Sequence, residues 1–116
     1  MIGWKPLDDI SLLTTIRDDS FVRPQVIFKH STRCGISSGA LSRMNRNDDL
    51  PGTDTYLLDL IRNRQISNAI AEDFGVAHES PQILLVWQGR VVYRDSHGAI
   101  SYDKLEQELE LIGQGQ

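Results

Sequence analysis

One stretch of the chain constrains its fold more than any other: Val26-Ile27-Phe28-Lys29-His30-Ser31-Thr32-Arg33-Cys34-Gly35-Ile36-Ser37. An apolar run suited to a buried strand ends in a short polar turn. That turn brings the single cysteine of the sequence to the start of a helical pattern. A helix N-terminus carries unpaired N–H groups and a partial positive charge, and both favour the thiolate form of a cysteine. The pattern therefore predicts a nucleophilic Cys34, with a buried structural cysteine as the alternative.

The motif around this cysteine has one thiol. Ser37 stands three residues after Cys34, where a dithiol enzyme carries its second cysteine, so the motif is C-x-x-S. One cysteine cannot form an internal disulfide, and no cluster has the spacing of zinc ligands. We therefore expect a reduced thiol and no metal.

Composition narrows the class of protein. A chain of 116 residues is expected to form one domain, over 1–116, with its own core. The net charge of −4 argues against electrostatic binding of nucleic acid. The sequence shows neither an apolar stretch of membrane-spanning length nor the apolar core of a signal peptide. These features predict a cytoplasmic protein that binds no membrane; they leave its oligomeric state open.

Hydrophobic periodicity divides the chain into four helices and four strands. The predicted elements are a helix over 7–20, a strand over 25–31, a helix over 35–45, a strand over 55–60, a helix over 64–74, strands over 82–87 and 90–94, and a last helix capped by Ser101. Gly75 stands where a helix C-cap glycine belongs, and 47–52 is predicted to form a turn.

The order of these elements predicts an α/β fold. The first two strands are each followed by a helix, which implies a parallel pair with a right-handed crossover. The closing hairpin adds antiparallel strands to the same sheet. The result is a thioredoxin-like plan, with a four-stranded mixed sheet flanked by helices and an extra N-terminal helix. This plan predicts a cis peptide bond at Ser80–Pro81, beside the cysteine.

Three blocks of the sequence carry a resemblance to a known family: Phe28-Lys29-His30-Ser31-Thr32-Arg33-Cys34 with Ile36-Ser37, Phe74-Gly75-Val76 with His78-Glu79-Ser80-Pro81-Gln82, and Ser96-His97. Together they resemble the YtxJ family, the monothiol bacilliredoxin-like proteins of the bacillithiol system. The chain departs from that pattern at Gly35, where proline is usual. It departs again at Gly98, where an aromatic residue often follows Ser-His.

The resemblance implies a thioredoxin-like fold and a reaction. The reaction is removal of bacillithiol from mixed disulfides on proteins, with Cys34 as the attacking thiol. It implies no permanently bound cofactor and bacillithiol as co-substrate. The expected partners are S-thiolated client proteins, together with a second thiol or a separate reductase that clears the adduct from the enzyme.

Two polar residues near Cys34 are candidate supporting residues. Ser37 lies one helical turn on, so its hydroxyl is expected to donate to the Cys34 thiolate, to satisfy backbone N–H groups as a first-turn residue, or to do both. Arg33 is expected to stabilise the thiolate or to meet a carboxylate of the small thiol. The alternative for Arg33 is an exposed arginine in a turn.

Four further residues are candidates because the fold would bring them near the cysteine. Ser80 and Pro81 would offer backbone groups to an extended substrate. His78 and His97 would border Cys34 and either tune its pKa or assist proton transfer, with structural hydrogen bonding as the alternative. His30 lies on or beside the first long strand, and the separations between the histidines do not fit a metal site.

Two other functions are alternatives to that of an oxidoreductase. Gly35, Gly98 and the missing second thiol would also suit a thioredoxin-like binding module without turnover. A redox sensor modified at Cys34 would share the reactive thiol but would transfer nothing from client proteins.

Overall fold

A computed structural model describes residues 1–115 and contains a mixed sheet of five strands in the order β1-β3-β2-β4-β5. The strands are β1 (Lys5–Pro6), β2 (Gln25–His30), β3 (Asp54–Asp59), β4 (Gln82–Trp87) and β5 (Arg90–Ser96). The helices are α1 (Leu12–Asp19), α2 (Gly35–Asn45), α3 (Arg64–Phe74) and α4 (Tyr102–Gly115), with a 3-10 turn over His97–Ala99. No helix of these residues is long and apolar enough to cross a membrane.

Strand β2 is the centre of the sheet and of the core. It pairs in parallel with β3 and antiparallel with β4. Successive side chains of a strand point to opposite faces, so β2 contributes to two separate apolar clusters. Ile27 packs in the cluster that includes residues of α1 and α3. Phe28 packs in the cluster that includes residues of α2 and α4. Helices therefore cover both faces, and this explains the near-continuous apolar sequence of the strand.

The N-terminal segment differs from the prediction. The helix predicted over 7–20 occupies Leu12–Asp19, and the preceding residues include the short strand β1, which pairs in parallel with β3. The Asp9 carboxylate accepts hydrogen bonds from the backbone N–H and the hydroxyl of Ser11, at 2.9 and 2.8 Å, in the turn before the helix. Leu7 is buried beside the sheet, and its N–H donates to the Leu57 carbonyl. The sheet therefore has five strands rather than four.

The rest of the chain follows the predicted order. Helices α2 and α3 and strand β4 have the predicted bounds, while β3 begins one residue early and β5 continues to Ser96. Gly75 adopts the left-handed conformation, with φ of 65°, at the C-cap of α3. The Ser101 hydroxyl accepts from the Lys104 N–H at 3.4 Å at the start of α4. The Ser80–Pro81 peptide bond is cis, as predicted.

Candidate active site around Cys34

The turn between β2 and α2 presents Cys34 at the N-cap of the helix. Its backbone is extended, with φ of −116° and ψ of 120°, and its carbonyl accepts the Ser38 N–H at 3.0 Å. Its own N–H donates to the Ser31 carbonyl at 3.2 Å, which closes the turn. The side chain is partly exposed and free of any disulfide. A thiol at this position is open to a substrate and lies at the positive end of the helix dipole.

A buried serine ties the first turn of α2 to the end of β2. Ser37 is fully buried, and its hydroxyl oxygen accepts the Ser31 N–H at 2.9 Å. The same oxygen lies 2.7 Å from Nδ1 of His30, the last residue of β2. His30 and Ser31 precede the turn that holds Cys34, and Ser37 follows it. These two bonds therefore join the two sides of the turn and help to fix where the thiol is placed.

These contacts bear on the two predicted roles of Ser37. Among residues 1–115, no hydrogen bond joins the Ser37 hydroxyl to Cys34. The other predicted role was that of a first-turn serine that satisfies backbone N–H groups, and Ser37 does accept one such group, the N–H of Ser31. The reason is burial: a hydroxyl inside the protein is held by the nearest polar groups, which are those at the end of β2.

The segment before β4 and the segment after β5 lie beside this turn. Lys29 is the register partner of Gln82, so the cis bond of Ser80–Pro81 lies just beyond the end of the β2–β4 ladder. The Pro81 carbonyl accepts the His97 N–H at 3.0 Å, and the 3-10 turn that begins at His97 packs against α2. The Ser80 hydroxyl is buried without a hydrogen-bond partner among the described residues.

The two candidate histidines make contacts away from the thiol. His97 Nε2 lies 3.4 Å from a carboxylate oxygen of Glu79. His78 Nδ1 lies 3.4 Å from the Lys29 ammonium nitrogen and 3.2 Å from the Ser67 hydroxyl. These distances fit structural hydrogen bonding, which was the alternative to a role in proton transfer. A proton-transfer role for either residue stays a prediction.

Lys29 is an unusual group beside this site. Its side chain is completely buried, and burial lowers its pKa from 10.5 to about 8 because the charged form loses hydration. Among residues 1–115 no carboxylate forms an ion pair with it. Desolvation also lowers the pKa of His78, and the positive charges of Lys29 and Arg64 lower it further, against the opposing effect of Glu79.

His30 has a different electrostatic setting on the other face of the sheet. It is buried, and burial lowers its pKa. The Asp59 carboxylate, on the neighbouring strand β3, acts in the opposite direction. The imidazole is therefore mainly neutral at neutral pH, so one ring nitrogen is a donor and the other an acceptor.

The surface around Cys34 is open. Arg33 is exposed, so its role at the thiolate or at a carboxylate of the small thiol stays a prediction, and Ile36 is an exposed apolar residue directly after the turn. A Cβ atom added at Gly35 or Gly98 would meet nothing within 4 Å. Neither glycine is therefore required by close packing.

Lys29 and His30 are the polar residues that sequence reasoning left out of the site. A usable signal was present, because two ionisable residues end an otherwise mainly apolar strand and precede the turn with the cysteine. Their partners, Ser37 and His78, could not be read from that signal. Among the described residues, no group of three or more His, Cys, Asp or Glu side chains could hold a metal ion.

Comparison with known families shows which family the chain belongs to. The model of the family described as monothiol bacilliredoxin BrxC matches residues 5–105. The chain belongs to the monothiol bacilliredoxin family. This membership confirms the resemblance carried by the three sequence blocks, and it supports a thiol redox function for a protein whose one cysteine lies at a helix N-terminus.

Solved structures confirm the thioredoxin fold of this bacilliredoxin-family chain. One is described as a candidate oxidoreductase with a thioredoxin fold; it is 29% identical, with a TM-score of 0.74, over 88% of this chain and 89% of that one. Thioredoxin from Trypanosoma brucei brucei is 14% identical, with a TM-score of 0.73, over 97% and 92% of the two chains. Thioredoxin from Malassezia sympodialis is 15% identical, with a TM-score of 0.70, over 93% and 89%.

Proposed function

We propose that this protein removes a low-molecular-weight thiol, bacillithiol, from mixed disulfides on client proteins. The observation that carries the proposal is the position of Cys34, the only cysteine of the sequence, partly exposed at the N-cap of α2. Thiol–disulfide exchange needs a thiolate with access to a disulfide, and the partly exposed side chain leaves the Cys34 sulfur accessible. Membership of the monothiol bacilliredoxin family supports bacillithiol as the small thiol.

The exchange follows from the single thiol. The Cys34 thiolate attacks the sulfur of the small thiol in the mixed disulfide. The bond from that sulfur to the client breaks, and the client sulfur leaves as a thiolate that takes a proton from water. Cys34 then carries the small thiol as a disulfide adduct. The client is reduced and Cys34 is oxidised, so electrons balance within the pair.

The adduct is cleared from outside because the chain has no second cysteine. A second molecule of the small thiol attacks the adduct and leaves as a symmetrical disulfide, or a separate reductase performs this step. In either case Cys34 is the leaving group. The enzyme therefore needs a thiolate that both attacks and departs readily.

Client recognition is proposed to use the surface beside Ser80–Pro81. The Pro81 carbonyl is already bonded to the His97 N–H, so Ser80 is the member of the pair left to meet an extended segment. Its buried, unpartnered hydroxyl adjoins that position. The exposed side chain of Ile36 offers an apolar contact on the helix side of Cys34.

Intact-mass spectrometry tests the proposal directly. The protein is mixed with a client carrying one bacillithiol adduct, and Cys34→Ser serves as the control. We expect the client to lose the mass of the small thiol while the wild-type protein gains it, and the Cys34→Ser variant to leave the client unchanged. Transfer that persists in Cys34→Ser would overturn the role of Cys34.

The same experiment separates the alternatives. If neither mass changes with bacillithiol but glutathione or coenzyme A adducts are transferred, the reaction stands and the assigned thiol is wrong. If Cys34 is modified by free disulfides of small thiols but removes none from clients, the protein is a sensor. If no adduct forms at alkaline pH, where a thiolate is populated, the binding module is favoured.

A further inference from the structure

The segment over 77–81 leads into β4 without regular secondary structure, and side-chain contacts hold it to the rest of the fold. Its first carbonyl, that of Ala77, accepts a hydrogen bond from Nε2 of the buried Gln82 at 3.1 Å. The next residue, His78, places its ring against the sheet, where Nδ1 lies 3.4 Å from the Lys29 ammonium nitrogen. This second contact therefore fixes the backbone shortly before the cis peptide bond.

The contact between His78 and Lys29 has one arrangement of hydrogens while Lys29 is charged. An ammonium group has three N–H donors and no acceptor, so Nδ1 of the ring must accept. The ring hydrogen is therefore on Nε2, and the ring is neutral. The Ser67 hydroxyl, 3.2 Å from the same Nδ1, is a second donor to this nitrogen. A protonated ring carries a hydrogen on both nitrogens and can accept from neither Lys29 nor Ser67.

The groups around the His78 ring disfavour its charged form. Partial burial lowers the pKa of His78, and the positive charges of Lys29 on β2 and Arg64 on α3 lower it further. The Glu79 carboxylate, in the same segment, acts in the opposite direction, and Ser67 of α3 is an uncharged neighbour. Protonation therefore replaces a hydrogen bond by two cations that face each other. Because the His78 residue as a whole is exposed, the charged ring has solvent into which to turn.

We propose that Lys29 is a positioning residue for client binding, which holds the segment over 77–81 through neutral His78 and releases it when His78 is protonated. The proposed function gives this contact its use, because Ser80 of the segment is the residue proposed to meet the client. Lys29 is completely buried, so its ammonium group cannot follow the ring toward solvent. Loss of the hydrogen bond therefore frees the ring and the backbone that carries it.

The released state is reached by acidification. His78 is mainly neutral at neutral pH, because its pKa lies below the ordinary 6.5. The contact is lost as the pH falls through that pKa. It is kept on the alkaline side, where a neutral Lys29 amine still has hydrogens to donate. Glu79 also contacts the His97 ring, at 3.4 Å, so the experiment must distinguish two histidines.

Proton–nitrogen NMR of the full-length protein between about pH 7.5 and pH 5 tests the contact without a client. We expect the backbone amides of 77–80 to shift with the same midpoint as the His78 ring. In Lys29→Met the cation is absent, so the pKa of His78 should rise and the amide shifts that accompany its titration should become small. Lys104→Met, at an exposed lysine, is the matched control and should leave both titrations unchanged. Amides that ignore the His78 titration, or that follow it equally in Lys29→Met, overturn the proposal.

Two substitutions of His78 give a second test, in the reaction with a bacillithiol-modified client. His78→Asn keeps an acceptor that does not titrate, and His78→Leu removes the acceptor. We expect the wild-type KM for the client to rise about two- to tenfold between about pH 7.5 and pH 5.5, the size expected for one lost hydrogen bond. In His78→Asn KM should stay low, and in His78→Leu it should be high at every pH. The fall in kcat as the Cys34 thiolate is protonated should be common to all three.

Rescue by His78→Asn is the result that a ring needed only for packing would not give. Because His97 is present in all three proteins, a KM that rises equally in His78→Asn and in the wild type would overturn the proposal. Equal KM values for the Asn and Leu variants at neutral pH would overturn it as well. Failure of client reduction with the NMR coupling intact would count against the proposed function alone. Loss of the coupling with client reduction intact would count against this inference alone.

Discussion

Two consecutive residues at the end of β2 enter opposite faces of the sheet and meet contrasting surroundings. His30 lies 2.7 Å from the hydroxyl of Ser37 in the first turn of α2. Lys29 lies 3.4 Å from His78, which in turn contacts Ser67 in the first turn of α3. The first cluster is a short hydrogen-bond network around a neutral ring. In the second cluster the Lys29 ammonium contacts the His78 ring, and neither group has a carboxylate partner among the described residues. Burial of polar groups therefore secures the cysteine turn on one face and leaves an uncompensated cation on the other.

The largest expected effect comes from removing the charge of Lys29. A drop in its pKa from 10.5 to about 8 corresponds to on the order of 3 kcal/mol by which the folded state disfavours the ammonium. Lys29→Met keeps the length of the side chain and should therefore stabilise the protein at neutral pH. The folded pKa is depressed, so the gain should shrink as the pH rises from about 8 toward 10.5.

Urea denaturation at neutral and alkaline pH measures this gain. Lys104→Met, at an exposed lysine that pairs with Asp95 at 3.7 Å, is the matched control and should change stability little at either pH. Destabilisation by Lys29→Met at neutral pH would show that the buried amine makes a net favourable interaction. The contrast between the two faces would then fail.

Removing the Ser37 hydroxyl tests the other face. Ser37→Ala leaves the Ser31 N–H and a ring nitrogen of His30 without their partner, and should lower the free energy of unfolding by about 1–3 kcal/mol. Thermal or urea unfolding gives the value, and Ser38→Ala reports the effect of losing an exposed hydroxyl from the same helix. A loss equal to that of Ser38→Ala would mean that the network does not hold the turn.

A smaller effect is expected when the pH falls. His30 and His78 both have a pKa below the ordinary 6.5 in the folded protein, because burial and desolvation disfavour their charged forms. The unfolded chain then binds more protons than the folded chain once the pH drops below about 6.5, so stability declines with acidification. Denaturation curves measured between neutral pH and about pH 5 should show this decline. In His78→Asn the decline should be reduced but still present, since His30 remains. If the stability of the wild type does not decline over this pH range, the explanation by His30 and His78 is wrong.

The smallest effect concerns the start of α2. Gly35 is the first helical residue, and Cys34 before it already has the extended backbone that a following proline requires. A Cβ at this position has free space, so Gly35→Pro should stabilise the protein by about 0.4–1 kcal/mol through the unfolded state. Gly35→Ala, which lacks the fixed φ, should gain less in the same melting experiment. A loss of stability with proline would show that the turn needs the freedom of glycine.

Most of the fold was predictable because its signals are local. The bounds of α2 and α3 follow from apolar residues four apart and from the glycine at the end of α3, and β4 is a continuous apolar run. Strand β1 was missed because two residues carry no periodicity, and their pairing with β3 is a contact across the chain. The 3-10 turn before α4 was not predicted either, and its first residue, His97, donates its N–H to the Pro81 carbonyl.

The candidate site was likewise predictable only in the part that depends on local sequence. Cys34 and the strand–turn–helix around it could be identified from the order of residues, since helix starts and strand ends are local features. The hydrogen-bond partner of Ser37 could not be identified from the sequence, because a hydroxyl bonds to whichever polar group folding places nearest.

The sequence by itself determined the single thiol, its place at a helix N-terminus, the order of the later elements and the family. The tertiary structure decided what surrounds the thiol. Lys29 and His30 are neighbours in the chain, yet the pleat of β2 sends them to opposite faces. There one meets a histidine 49 residues away and the other a serine seven residues away. Hydrogen bonding and desolvation act over a few ångströms in space, whatever the separation along the chain, and these contacts exist only after the sheet and helices have packed.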